Sequence, residues 1–165
     1  MKKLLVVVTL IISLNFSCGR MCACFQPVPL SFNLVIKNAG GADLLKPSIT
    51  GSYSKESIKV YTKAADGTIT PLKFEINNPI PAGHTKIDYY QLVSPDLVKF
   101  SGSKNAVGAY EKIFFLQFRD EKPYQFDLSY HQFGGKLYLL LDGVQIPKDS
   151  KMLEYVNSLF YFIKP

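Results

Sequence analysis

The chain has no tryptophan, two histidines and three cysteines, and the cysteines fall together at Cys18, Cys22 and Cys24. Everything after Cys24 lacks a thiol, so no disulfide can form within it, although an oxidising compartment would permit one. His84 and His131 are distant in sequence from the cysteines. A structural zinc site needs four ligands on a folded scaffold, so no metal is expected. Arginine is nearly absent too: Arg20 and Arg119 stand among a total of 19 basic residues. The lysines are scattered. A nucleic-acid binder shows a clustered basic stripe, so nucleic acid is not an expected partner. Scattered lysines on strands form a solvated face that also discourages edge pairing. The lack of tryptophan weakens a sugar-stacking platform and leaves only tyrosine to build one. There is no phosphate-binding loop, dinucleotide fingerprint or zinc-protease motif, and no cofactor is expected. No apolar pattern of helical period runs for ten residues.

What is present begins with a leader. Lys2 and Lys3 precede an apolar run, residues 4–14, interrupted only by Thr9 and Ser13. A charged start, a short apolar run and a small residue before the cut make a secretory signal. The run is short for a bilayer span, which takes about 20 residues; an uncleaved anchor is the alternative. The sequence divides into a signal peptide, 1–17, a tether, 18–29, and one domain, 30–165. A domain of this size builds a core without covalent staples.

Cys18 follows the apolar run directly, with Ser17 before it and Gly19 after it. This resembles the lipobox of bacterial lipoproteins. The resemblance implies cleavage between Ser17 and Cys18, diacylglycerol on the Cys18 thiol and acylation of the new amine. Each buried CH₂ contributes about 0.8 kcal/mol, and stable attachment takes more than one chain. Asn15 stands where many such boxes carry leucine. Cys24, preceded by Ala23, is the alternative acceptor, but Arg20 would then lie between the apolar run and the cut. Cys22 and the remaining thiol ride in the tether. The partners implied are a membrane, through the lipid, and the machinery that processes and sorts lipoproteins.

The domain reads as strands. Leu30, Phe32, Leu34 and Ile36 alternate with Ser31, Asn33 and Lys37, the period of a half-buried strand. A loop with a small apolar anchor follows, from Asp43 to Tyr53. Ile58 to Lys63 alternates, and Asp66-Gly67 predicts a type I′ hairpin with positive φ at both residues. Ile69 to Ile76 returns with Pro71 inside, which marks an edge or a bulge. Strands are expected over Thr85 to Val93 and Leu97 to Phe100. Lys112 to Arg119 is apolar on both sides. Tyr124, Phe126, Leu128 and Tyr130 share one face of the next strand, and Gln125, Asp127, Ser129 and His131 share the other. Glycine turns lead into Lys136 to Leu141, a short Val144 to Ile146 and a closing Ser158 to Lys164. Lys151 to Asn157 is the one place for a turn of helix. Seven to nine short strands with regular turns predict an all-β, antiparallel β-sandwich; a barrel is the alternative.

No catalytic residue is expected. Asp127-x-Ser129-x-His131 has the residue types of a hydrolase triad, but alternate positions on one strand stand about 6.8 Å apart. A nucleophile and its base must come within about 3 Å. Asp120-Glu121 is a calcium candidate flanked by Arg119 and Lys122, and a surface turn is the simpler reading. His84 reads as an exposed loop histidine.

Further motifs accumulate: Asp43-Leu44-Leu45-x-Pro47 with Gly51-x-Tyr53, Ile58-Lys59-Val60-Tyr61, Phe126-Asp127-Leu128-Ser129-Tyr130 and Leu141-Asp142-Gly143-Val144. Behind a lipobox, they resemble small cell-envelope lipoproteins of Bacteroidota with an uncharacterised immunoglobulin-like β-sandwich. That family implies no activity and no functional residue beyond Cys18. The chain lacks the acidic residues after the cysteine that resemble a surface-export tag, which implies an outer-membrane protein facing the periplasm. The function expected is a non-catalytic binding or accessory module, presenting the 77–83 and 101–108 loops to an envelope protein or glycan. The alternatives are an envelope hydrolase and a purely structural envelope protein.

Overall fold

The computed structural model describes residues 31–80, 86–100, 102, 104–105, 108–131, 136–149 and 158–165. Ten strands run in order: β1 (Asn33–Asn38), β2 (Ile58–Lys63), β3 (Ile69–Pro71), β4 (Glu75–Asn77), β5 (Gln91–Val93), β6 (Ala109–Phe118), β7 (Tyr124–His131), β8 (Lys136–Leu141), β9 (Val144–Gln145) and β10 (Leu159–Lys164). The helical content of the described residues is one 3₁₀ turn, Lys55–Ser57. The strands form two packed sheets, one of order β10-β1-β5-β4 and one of order β3-β2-β6-β7-β8-β9. The ladders are antiparallel except between β1 and β10, which run parallel from Asn33↔Leu159 to Asn38↔Lys164.

The core between the sheets is aromatic, because Phe and Tyr both favour strands and fill large volumes. Phe32, Phe160 and Phe162 come from the four-stranded side; Phe114, Phe118 and Phe126 come from the six-stranded side, and all six are fully buried. They meet edge to face: Phe32 lies 5.8 Å from Phe114 and Phe162 lies 5.3 Å from Phe126. The expected alternation of β7 holds, with Phe126 and Leu128 buried and Tyr130 packed against the core. Leu44, Leu45 and Tyr53 anchor the long loop after β1, as its sequence predicts.

Several elements depart from the sequence reading. β1 was expected to be half-buried, yet Asn33 and Val35 on its outward side are buried as well. The segment from Ile69 to Ile76 is not one strand. Pro71 ends β3 at an edge of the larger sheet, and β4 joins the smaller sheet beside β5. The crossing is pinned by Ser94 Oγ donating to the Lys73 carbonyl at 2.7 Å and by Lys73 N–H donating to Asp96 Oδ2 at 2.9 Å. Leu97 to Phe100 is not a strand. The chain turns there, and Leu97 is buried as a plug for the core. Of Thr85 to Val93, Gln91–Val93 is strand and Ile87 makes an isolated bridge to Ile80; residue 85 lies outside the described residues.

The two Asp-Gly turns differ. Asp142 and Gly143 both have positive φ, 50° and 78°, in the two-residue turn between Leu141 and Val144. At the other turn only Gly67 does, at 89°. Ala64 accepts from Gly67 N–H and donates to Thr68, and Asp66 Oδ1 accepts from Thr68 N–H. This is the three-residue loop with a left-handed glycine rather than the type I′ form. Asp66 keeps an ordinary φ because its side chain caps the turn from there.

Candidate functional site

The outward side of the six-stranded sheet follows from the register. Inward residues of β6 are buried at Phe114, Leu116 and Phe118, so Glu111, Ile113, Phe115 and Gln117 face out. They stand opposite Ser129, Asp127 and Gln125 of β7: Glu111↔Ser129, Ile113↔Asp127 and Phe115↔Gln125. Beyond β7, Asp127 pairs with Leu140 and Ser129 with Tyr138 of β8. At the centre, Asp127 and Ser129 thus lie between Ile113 of β6 and Leu140 and Tyr138 of β8. The result is a trough along β7. Its central part is a cleft of about 230 Å³ between Ile113 and Leu140, floored by Asp127 and Ser129. Toward the start of β7 a wider cleft of about 640 Å³ opens beside Phe115, Gln125 and Lys122. At the far end His131 meets Tyr138 edge-on at 5.0 Å.

Of the apolar residues there, Phe115 and Leu140 are half-buried and Ile113 is exposed. Ile113 is 52% exposed and, at the sheet edge, Ile69 is 58% exposed. Phe115 stacks on Tyr61 of β2 at 5.3 Å, giving a flat two-ring surface. The floor holds one unusual atom. Asp127 Oδ1 is shielded from water and has no hydrogen-bond partner among the described residues. Buried polar atoms are ordinarily bonded. Glu111 beside it is engaged, accepting from Asn105 Nδ2 at 2.6 Å.

A second cluster lies at the turn end of the sandwich. Glu121 accepts from Lys164 at 2.8 Å and from the Tyr53 hydroxyl at 3.1 Å. The Lys164 hydrogen bond holds the Glu121 carboxyl below its ordinary range, and the same bond raises Lys164. Arg119, at φ 49°, lies over the Tyr53 ring. Both oxygens of Glu121 are therefore committed to a strap that ties the last strand to the β6–β7 turn, which fits the surface-turn reading of Asp120-Glu121 better than calcium. Lys112 forms a third feature. Its ammonium donates to the carbonyls of Asp96 and Lys99 at 2.8 and 2.6 Å, and burial lowers its pKa. It closes the end of the core where Phe100 stacks on Tyr130.

Among the residues singled out in sequence, Ser17, Cys18, Cys24 and His84 lie outside the described residues, as do parts of the 77–83 and 101–108 loops. Asp127, Ser129 and His131 occupy alternate outward positions of one strand, as the pattern predicts. That spacing does not give a nucleophile and base in contact. Sequence reasoning identified this row as the wet face of a strand. It did not find the trough, because the walls belong to strands whose register is not written in β7.

The chain matches no protein-family model, no curated protein and no solved structure.

Proposed function

We propose that the protein is a lipid-anchored, non-catalytic binding module of the bacterial cell envelope. Its two-sheet domain, immunoglobulin-like in this reading, is held on the outer membrane facing the periplasm through Cys18. The leader supports the anchor: a charged start, a short apolar run and Ser17-Cys18 at its end. The observation that carries the binding role is the outward side of the six-stranded sheet, where Ile113 and Leu140 line one cleft of about 230 Å³ and Phe115 lines another of about 640 Å³. Contiguous exposed apolar surface with a few placed polar groups marks an interaction site. Envelope hydrolysis, the alternative, would need convergent polar groups, whereas Asp127, Ser129 and His131 are spread along one strand.

Intact mass and metabolic lipid labelling test the anchor in a bacterium that processes lipoproteins. The wild type and Cys24→Ala are expected to carry label and the cleaved mass, and Cys18→Ala to lose both. Label retained by Cys18→Ala overturns the assignment.

A further inference from the structure

Resting on the lipid-anchor reading, we infer that the end of the domain where β1 begins lies against an anionic phospholipid surface, with Lys99, Lys104, Lys136 and Lys148 at the headgroup phosphates.

Position comes first. β1 and β10 start side by side, next to the end of β5, and Lys148 bridges to Phe160 there. The larger sheet turns the matching end to them. Lys112, early in β6, reaches the Asp96 and Lys99 carbonyls that follow β5. Lys148 Nζ donates to the Leu137 carbonyl at the start of β8, at 3.5 Å. The described chain begins here, at Ser31, so the segment that leads back to Cys18, residues 19–30, leaves from this end. Such a segment extends at most about 40 Å. The eight residues of β7 carry the opposite end about 26 Å further off. The anchor therefore keeps the Ser31 end nearest the bilayer.

Charge comes second. The carboxylates around this end are already engaged. Asp96 accepts from Lys99 at 2.9 Å, Glu75 from Lys55 at 2.8 Å, Glu111 from Asn105 Nδ2 at 2.6 Å and Asp149 from the Tyr161 hydroxyl at 3.1 Å. Lys136 and Lys148 have no carboxylate partner among the described residues. They also repel each other: burial first, then Lys136, lowers the pKa of Lys148. Two cations held together without a counter-ion suit a surface that supplies one. At the opposite end Arg119, Lys122 and Lys164 are matched by Asp120, Glu121 and Asp142. The field of an anionic leaflet decays within about 8 Å at physiological salt, so only the near end feels it.

The residue types agree. All four cations are lysines, compact and well-hydrated point charges that adapt to mobile phosphates, without the fixed fork of arginine. Half-buried Phe100 and Tyr110 sit among them, with the Lys104 ammonium 5.5 Å from the Tyr110 ring. Aromatic and basic side chains both favour the membrane–water interface.

The test adds the wild-type lipidated chain to preformed phosphatidylcholine vesicles, with and without phosphatidylglycerol. Lysine reactivity toward a membrane-impermeant amine reagent is mapped by mass spectrometry. With phosphatidylglycerol, Lys99, Lys104, Lys136 and Lys148 are expected to react about tenfold more slowly than on neutral vesicles, and exposed Lys46, Lys59 and Lys122 at unchanged rates. High salt is expected to restore reactivity. Lys136→Gln is expected to cut the protection of the other three about fivefold, the worth of one lysine near such a surface; Lys122→Gln is expected to leave it intact. An unchanged footprint on phosphatidylglycerol vesicles, or equal protection on neutral ones, overturns the inference.

Flotation of the same samples separates the two levels. Protein that floats with neutral vesicles but shows no protection on anionic ones overturns the surface contact and leaves the anchor. Protein that does not float with neutral vesicles overturns the anchor, and the anionic footprint then decides the contact alone.

Discussion

The two sheets treat their outward faces in opposite ways. Behind the four-stranded sheet the chain builds a second small core, in which Val35, Ile87 and Leu159 are buried and Tyr89 and Tyr161 pack over them. The Ile80–Ile87 bridge holds this cover in place. The Lys37 ammonium seals it, 3.6 Å from the Tyr89 ring and 4.9 Å from that of Tyr161. Behind the six-stranded sheet the described residues supply no such cover, although Ile113, Phe115 and Leu140 are comparably apolar. The contrast teaches that the bare face is not a failure to bury surface. Among the described residues, a loop wraps one sheet and none wraps the other.

A charge placed at the centre of each face gives the sharpest break. Val35→Asp puts a carboxylate into a site with no exposure, and a loss of about 4 kcal/mol or outright unfolding is expected. Ile113→Lys, whose ammonium would stand opposite Asp127, is expected to move stability by about 1 kcal/mol at most. Urea unfolding of both measures the difference, and similar losses would erase the distinction between the faces. Next in size, Leu159→Ala removes a fully buried side chain from the covered face and is expected to cost about 2–5 kcal/mol by the same assay.

Tyr161 probes the cover itself. Burial, then its hydrogen bond to Asp149, pushes its phenol up to about 12. The folded form holds its proton where the unfolded form has lost it. Tyr161 therefore contributes stability that is complete below pH about 10 and is lost between about 10 and 12. Ultraviolet titration is expected to show one late tyrosine, absent in Tyr161→Phe. That variant loses about 1 kcal/mol at neutral pH, the usual worth of such a hydrogen bond. The smallest effect belongs to the Glu121–Lys164 strap outside both faces. Glu121 is depressed, so its contribution is present above the ordinary carboxylate pKa of about 4.3 and disappears as pH falls through the folded value. In Lys164→Met, NMR titration is expected to return Glu121 toward its ordinary range, with a minor change in melting temperature.

The same contrast explains what the sequence could and could not convey. Phe126 and Leu128 announce their strand because a period of two is a local property. Asp142-Gly143 announces its turn because positive φ is costly for most residues. Val35 carried no such message. It occupies an outward position, and its burial depends on Ile87 and Tyr89 arriving from about a third of the chain away. Pro71 signalled an edge, but the jump of the next residues to the other sheet rests on the tertiary bonds of Lys73 to Ser94 and Asp96. The trough was hidden for the same reason. Asp127 is legible as a polar outward residue, while its apolar walls exist only once β6 and β8 are in register on either side.

The parallel pairing of β1 with β10 sets the order in which the domain can be completed. The Asn33 amide donates to the Ser158 carbonyl at 3.0 Å, and its side chain reaches the same oxygen across 125 positions of sequence. The β6–β7–β8 meander needs only near neighbours and can assemble early, whereas contacts of long sequence separation form slowly. A ribosome works from the amino end, so β1 emerges with its apolar side chains long before β10 exists. Once β5 is made it can take one edge of β1, but the other edge stays open until β10 appears. A chain lacking β10 would lose Phe160 and Phe162 from the core and leave one whole edge of β1 unpaired.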